Sequence, residues 1–435
     1  MSFFHKYLLL FACIVLTISS VFTQSVLQID DAIKIALQNN YDLKLSEYEL
    51  RIAQLNNTRA NAGMLPRLNF FGTDNIEAGY LYQKYSDGEK NEYPFLASNS
   101  LNTGIDLNWK LYDGGIMKLE KNKLGELENL SRSTITNYRQ MIISNVLNSY
   151  YDIIRQKQQL KAINEIINFN SERVKISEAA FKAGSIPKTE LLQSQIDLNL
   201  SLESSINQEY MIVISKRNLN TLIGRTENPE FDVDDSINLI SIENDEKTFL
   251  NRLESNTELL VLKNKIKIAQ LSLKQAEKLK YPTLNLNGNL AYSQLNNSAG
   301  SLSSSGSIGP VAGIKITYPL YNAGENKRKL EIAKVELIMS ETELAKAKML
   351  LNSELQLHLF SYNNQLKQLK IEEENNNLAR ENLKISLERF RLGQTNSLEV
   401  HQSQDYLMQS NTRLINIKYF IKLAETKMRQ LIGDL

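Results

Sequence analysis

Leu284-Asn285-Leu286-Asn287-Gly288-Asn289-Leu290-Ala291-Tyr292-Ser293 alternates large apolar side chains with amides, with a period of two. Successive side chains of an extended chain point to opposite sides, so this stretch reads as a β-strand with one apolar and one polar face. Two further stretches carry the same period. Ile314, Ile316, Tyr318 and Leu320 alternate with Lys315, Thr317, Pro319 and Tyr321, and Ile105, Leu107, Trp109 and Leu111 alternate with Asp106, Asn108 and Lys110. Each is expected to form a strand of about ten residues. Two settings fit such strands: a half-buried hairpin on a soluble core, or a membrane β-barrel, apolar toward lipid and polar toward water inside. The segments on either side read as helices and offer no apolar sheet to cover the apolar face, which favours the barrel.

Working outward, the strand begins after Pro282, and its surroundings occur twice. Ile52-Ala53-Gln54-Leu55 recurs as Ile268-Ala269-Gln270-Leu271, and Pro66, Leu68 and Asn69 recur as Pro282, Leu284 and Asn285, all at an offset of 216. A second block recurs at an offset of 209: Leu111-Tyr112 and Gly115 match Leu320-Tyr321 and Gly324, and Gln193-Ser194-Gln195 matches Gln402-Ser403-Gln404. Between these, Glu172, Lys175, Ile176, Ser177, Phe181 and Gly184 match Glu381, Lys384, Ile385, Ser386, Phe390 and Gly393. Leu222-Ile223-Gly224 matches Leu431-Ile432-Gly433. So many ordered matches with one register change mark a tandem duplication, in which each copy is a supersecondary unit that needs the other. The expected division is residues 24–224 and 247–435 as the two repeats, joined by an acidic linker at 225–246 that holds Asp232, Asp234, Asp235, Glu243 and Asp245.

Within each repeat a helix comes first, Asp30 to Ala62 with Asp30 or Asp31 as its cap, and Lys247 to Lys280 in the second copy. Each stops before the proline that opens the strand pair. Ser86–Ser100 and Asn296–Gly309 are turn-rich and read as exposed hairpin tips. Asp113-Gly114-Gly115 and Asn322-Ala323-Gly324 then release the chain into helices expected over Ile116–Ala183 and Glu325–Leu392, without proline. Each would be roughly 100 Å long. Shorter helices return over Lys188–Ile223 and Ser397–Ile432. One long helix can thus be matched by a returning and a leading helix laid end to end, an antiparallel pair of columns. Leu330, Leu337, Leu344 and Leu351 at steps of seven, with Ala333 and Ala347 between them, mark a coiled-coil seam. An ordinary two-helix coiled coil fits that periodicity equally well. Closure separates the two: two repeats supply four strands, closed membrane barrels begin at about eight, and an open edge in lipid would leave backbone groups unpaired. The barrel must be shared among protomers.

Residues 1–23 have the layout of a secretory signal peptide: His5 and Lys6 precede an apolar run from Tyr7 to Ile18 that closes in Ser19, Ser20 and Thr23. An uncleaved anchor and a lipoprotein site at Leu10-Phe11-Ala12-Cys13 are the alternatives. Cys13 is the only cysteine, so no disulfide is expected in the mature chain. Fifty basic and 49 acidic residues nearly cancel, which argues against nucleic acid as a partner.

The duplicated order of helix, Pro-led strand pair, Tyr-x-x-Gly turn, long helix and returning helix resembles the TolC family of outer-membrane efflux proteins over essentially the whole mature sequence. Phe181-Lys182-Ala183-Gly184-Ser185-Ile186-Pro187 and Phe390-Arg391-Leu392-Gly393-Gln394-Thr395-Asn396 are similar to that family's aromatic-x-x-Gly turns. The resemblance implies a mainly α fold with membrane β: duplicated long-helix hairpins forming a periplasmic α-barrel, and four strands per protomer contributed to a 12-stranded β-barrel in a homotrimer set in outer-membrane lipid. It further implies a passive exit duct docked through the turns at Phe181, Gly184, Phe390 and Gly393 to a periplasmic adaptor (membrane fusion) protein and an inner-membrane pump. Acidic residues that narrow the tunnel mouth in that family correspond here to Glu399, with Glu190 in the first copy, while Gln402 stands where a second Asp occurs. The tyrosine and arginine latch residues of some members are here Phe390 and Thr395.

A secreted or periplasmic coiled-coil scaffold is the alternative, and it leaves the alternating strands without a role. No catalytic residue, metal site or cofactor is expected. The three histidines, His5, His358 and His401, are far apart in sequence, and no phosphate loop or nucleophile elbow occurs. His401, near Glu399, reads as a lone exposed histidine.

Overall fold

The computed structural model describes residues 25–225, 231–239, 246–300 and 302–435. The expected signal peptide, with His5 and Cys13, lies outside the described residues, as do Glu243 and Asp245 of the linker. In chain order the elements are β1 (Ser25–Val26), α1 (Ile29–Asn39), α2 (Tyr41–Asn56), β2 (Arg67–Lys84), β3 (Lys90–Tyr112), α3 (Ile116–Lys182) and α4 (Lys188–Leu222). They continue with β4 (Phe231–Asp232), α5 (Glu246–Arg252), a 3-10 turn (Leu253–Ser255), α6 (Thr257–Lys278), β5 (Thr283–Asn297), β6 (Ser304–Thr317), α7 (Glu325–Arg391) and α8 (Ser397–Leu431). The chain divides into two compact units: Leu45–Asn137 with Thr257–Leu350, and the remainder.

The first unit carries one antiparallel sheet in the order β2-β3-β5-β6. Its register gathers the alternating residues into rows. Trp109, Leu286 and Ile314 share a row, as do Leu68, Leu107, Gly288 and Ala312, and then Phe70, Ile105, Leu290 and Pro310. Tyr292 and Ile308 continue the band, and the next row mixes Leu101 with Asp74, Gln294 and Gly306. From Leu284 to Tyr292 the band runs about 26 Å along the strand, close to the ~25 Å apolar belt of an outer-membrane barrel. Apart from the Met64 backbone, whose carbonyl accepts from Trp109 Nε1 at 3.0 Å, the band lies open: Phe70 is 77% and Ile316 70% exposed. The opposite face is polar, with Arg67, Asn108 and Asn287 in one row and Asn69, Asp106 and Asn289 in the next. The sheet therefore has an uncovered apolar side and two unpaired edges, β2 and β6.

The strands hold 18, 23, 15 and 14 residues, longer than the ten expected. Most of the expected loop Ser86–Ser100 is strand. The β2–β3 turn closes at Tyr85–Glu89, where Tyr85 N–H donates to the Glu89 carbonyl and Glu89 N–H to Asp87 Oδ1. Ser, Asn and Glu mark a loop when a core lies beneath, but on a sheet exposed on both faces they sit in strand without penalty. β6 stops at Thr317, so Tyr318 and Leu320 lie beyond it. Pro319 has no N–H to give to a ladder. A bulge between Lys110 and Tyr112 makes Leu111 the extra residue of β3.

The leading helix is broken, in contrast to the single helix expected from Asp30 to Ala62. Asn40 (φ −58°, ψ 128°) separates α1 from α2. Its Oδ1 accepts from the N–H groups of Asp42 and Leu43, and its Nδ2 donates to the Leu222 carbonyl at 3.0 Å. Asn40 thus caps one helix start and one helix end together. The second copy repeats the device. Asn256 (φ −55°, ψ 131°) breaks the segment before α6, and its Nδ2 donates to the Leu431 carbonyl at 2.9 Å. Close approach completes both clasps: a Cβ on Gly224 would lie 2.8 Å from the Asn39 carbonyl oxygen, and one on Gly433 3.0 Å from that of Ser255. Asp30 and Asp31 sit in the first turn of α1 without capping it.

The long helices α3 and α7 each contain 67 residues, ending one residue before the expected Ala183 and Leu392. On α7, Ala333 and Leu351 are buried and Leu330, Leu337 and Leu344 half-buried, whereas Ile332, Val335 and Ile338 are exposed. In the second unit, polar side chains stitch the helices together. Gln159 on α3 donates to Thr412 on α8, Ser215 on α4 to Asp152 on α3, and Asn376 on α7 to Asn411 on α8. The linker docks here as well: β4 pairs in parallel with β1, and Lys157 Nζ binds Asp232, Asp235 and the Val233 carbonyl.

Candidate functional site: the helix turns

The chain reverses twice in the second unit, between α3 and α4 and between α7 and α8, and both reversals share one backbone. Gly184 (φ 73°) and Gly393 (φ 68°) adopt left-handed conformations. Ser185 N–H reaches back to the Ala180 carbonyl and Gly184 N–H to that of Phe181, and Gln394 and Gly393 bond likewise to Arg389 and Phe390. This is a Schellman closure, which glycine accepts without a Cβ clash. A Cβ at either glycine would meet nothing within 4 Å, so only the backbone demands glycine there.

The side chains differ. Phe181 is 38% exposed, whereas Phe390 is 6% exposed and packs with Leu383, Leu387, Val400 and Leu407. Phe390 therefore anchors its turn from inside and does not stand at the surface as expected, whereas Phe181 does. Asn396 caps α8 through Oδ1, which accepts from the N–H groups of Leu398 and Glu399. Pro187, at the equivalent place before α4, provides no side-chain cap.

The aperture residues fall into three situations. Glu399 is clamped: its carboxylate accepts from Arg389 Nη1 and Thr395 Oγ1, so its charge is offset within its own turn. Thr395, at the position where the resemblance puts a latch residue in some members, instead joins a brace across the reversal. Glu190, in the first turn of α4, has no ion pair among the described residues. Gln402 is exposed and donates to the Tyr406 hydroxyl at 2.8 Å. Glu190 lies on α4, and Glu399 and Gln402 lie on α8.

Sequence reading missed a buried polar cluster behind the turns. Arg173, fully buried, binds Asp197 and donates to Gln404 Oε1 at 3.0 Å. Gln404 Nε2 donates to Asn170 Oδ1 at 2.8 Å, and Asn170 to Ser201 at 3.3 Å. His401 stands between two carboxylates, 3.4 Å from Asp197 and 3.5 Å from Asp405, so it is not the isolated histidine expected. A salt bridge so enclosed fixes the mutual register of α3, α4 and α8, because either charge left alone would be heavily penalised. Its one trace in the sequence was Gln404, the last residue of the duplicated Gln-Ser-Gln. Among the described residues no group of three or more His, Cys, Asp or Glu side chains is placed to hold a metal ion. Nor is any described helix long and apolar enough to cross a membrane.

Comparison with solved structures places these elements in a known fold. The chain superposes on the Campylobacter jejuni CmeC outer membrane channel with a TM-score of 0.77 at 16% identity, covering 93% of this chain and 85% of that one. The outer membrane protein VceC of Vibrio cholerae gives 0.74 at 16% identity, with 93% and 96% covered. CusC, a protein of transmembrane channel formation, gives 0.77 at 17% identity, with 93% and 92% covered. The sequence has no match among curated proteins. It does match the outer membrane efflux protein family over residues 32–225 and 251–434, both copies of the duplicated order, and the chain belongs to that family of channel proteins.

Proposed function

We propose that three copies of this chain close a 12-stranded barrel in the outer membrane and work as the passive exit duct of a tripartite efflux or type I secretion system. The observation that carries this is the four-stranded sheet, whose uncovered apolar band and unpaired edges β2 and β6 call for lipid on one face and further strands on both sides. On α7, Ile371, Leu378 and Ile385, continued by Leu392 just past the helix end, form an exposed apolar stripe at steps of seven, suited to a neighbouring helix. The turn around Gly184, with Phe181 exposed, is the docking point for an adaptor, and Gly393 holds the second turn in matching form. Glu190, Glu399 and Gln402 line the aperture, where Glu190 supplies a charge that no cation among the described residues of its own chain offsets. The two matched family segments and the paired Asn40 and Asn256 clasps support a division into repeats at 24–224 and 247–435, with a linker at 225–246 behind a signal peptide at 1–23. A coiled-coil scaffold would leave the apolar sheet face without purpose. Mass measurement of the purified protein in detergent tests the assembly: a trimer is expected, and a monomer soluble without detergent would overturn it.

A further inference from the structure

The polar face of the sheet is not uniform. At the end where the strands join the helices, Lys110 and Lys315 flank Asn285 in one row, and Arg67 stands in the adjacent row beside Asn108 and Asn287. Strand spacing sets the first two about 10 Å apart. These six residues line a cavity of ≈ 430 Å³. Acidic compensation is slight. Asp106, one row further, accepts from Asn69 at 3.1 Å and Asn108 at 2.9 Å, and buried Asp113 lies 4.0 Å from Lys110 Nζ. Arg67 and Lys315 have no ion pair among the described residues. Beyond Asp106 this face carries no charged side chain until Glu77, near the far end; its rows hold amides, hydroxyls and small residues together with Phe71 and Leu295.

We infer that Arg67, Lys110 and Lys315 form a basic collar that attracts anionic solutes at the base of the barrel, a charge filter separate from the aperture at the helix turns. This rests on the outer-membrane reading above, since the polar face looks into a water-filled lumen only if the apolar face meets lipid. Cations converging on a narrow aqueous path raise the local anion concentration, and rings of Arg and Lys are the usual device of anion-selective pores. Amide neighbours keep the lumen wettable without cancelling the field. Three protomers would repeat the collar three times around the axis.

The test is the reversal potential of the purified full-length channel in planar bilayers under a KCl gradient. Relative to wild type, the Arg67→Gln/Lys110→Gln/Lys315→Gln variant should lower the chloride-to-potassium permeability ratio roughly three- to tenfold at low salt, and less at high salt. Tripolyphosphate added from the barrel side should block wild type and spare the variant. The single reversal Lys315→Glu gives the same reading, with a smaller shift, should the triple variant fail to assemble. Variant channels of wild-type conductance with unchanged ratio and unchanged block would overturn the collar while leaving the channel standing. Absence of any conductance from wild-type protein would instead overturn the outer-membrane reading, and the collar with it.

Discussion

The two helix turns are the same backbone filled in two ways. Gly184 and Gly393 hold nearly equal dihedrals and identical hydrogen-bond patterns. Around them the second copy invests in its own stability, burying Phe390, capping α8 with Asn396 and clamping Glu399 between Arg389 and Thr395. The first copy does none of this and leaves Phe181 and Glu190 open. Duplication thus preserved the frame, which geometry enforces, and released the side chains, one turn becoming a brace and the other left without one.

That comparison can be broken or sharpened at four places. The largest difference is expected at the phenylalanines. Phe390→Ala should destabilise the protein by about 3–5 kcal/mol, as a large buried side chain leaves a cavity, whereas Phe181→Ala should stay within about 0.5 kcal/mol. Denaturant midpoints measure both, and equal losses would erase the distinction between brace and surface. Next come the glycines, where Ala at Gly184 or Gly393 should cost about 1–2 kcal/mol from the left-handed backbone alone. The two losses should match, because neither added Cβ meets a neighbour. Asn396→Ala removes a cap and should cost about 1 kcal/mol, with Pro187→Ala near zero. The smallest effect falls on Glu399→Gln, under about 1 kcal/mol for so exposed a pair. In bilayer recordings Glu190→Gln should alter cation preference more than Glu399→Gln does; the reverse order would show that Arg389 does not neutralise Glu399.

Acid offers an independent handle on the linker. Burial raises the Asp232 carboxyl, but Lys157, the Val233 backbone and Lys216 outweigh it and hold the group below the usual carboxylate range. A carboxylate depressed in the fold contributes stability that is present above its unfolded value and lost as pH falls through the folded one. Docking of residues 231–235 should therefore loosen below the ordinary carboxylate range, and hydrogen exchange at Val233 and Asp234 should read it. Asp232→Asn should abolish that pH dependence.

What the sequence made legible was whatever repeats with a period. The alternation at Leu284–Tyr292 and the proline-free runs after Gly115 and Gly324 announced strands and long helices, whose ends fell within a residue of expectation for α3 and α7. Strand length was lost because polar residues such as Ser98 and Asn99 signal loop only where a core demands apolar partners. The Asn40 and Asn256 breaks were hidden for a different reason: each asparagine does its work against a helix end some 180 residues away, Leu222 or Leu431. Still, both stand at the offset of 216 that the duplication supplied. The Arg173–Asp197–Gln404 cluster was illegible for a third reason, since a charged residue on a helix reads as solvated until its partners on other helices are placed.

The central claim, that one face of the sheet meets lipid and the other water, is tested most directly by cysteine accessibility. The sequence contains a single cysteine, Cys13, in the expected signal peptide, so introduced thiols should stand alone in the mature protein. Leu290→Cys and Asn289→Cys, adjacent on β5 and opposite in direction, are reconstituted in liposomes and exposed to a charged maleimide. The account predicts rapid labelling at Asn289→Cys, and at Leu290→Cys none until the protein is unfolded in detergent. Equal labelling of both thiols in the bilayer would contradict it.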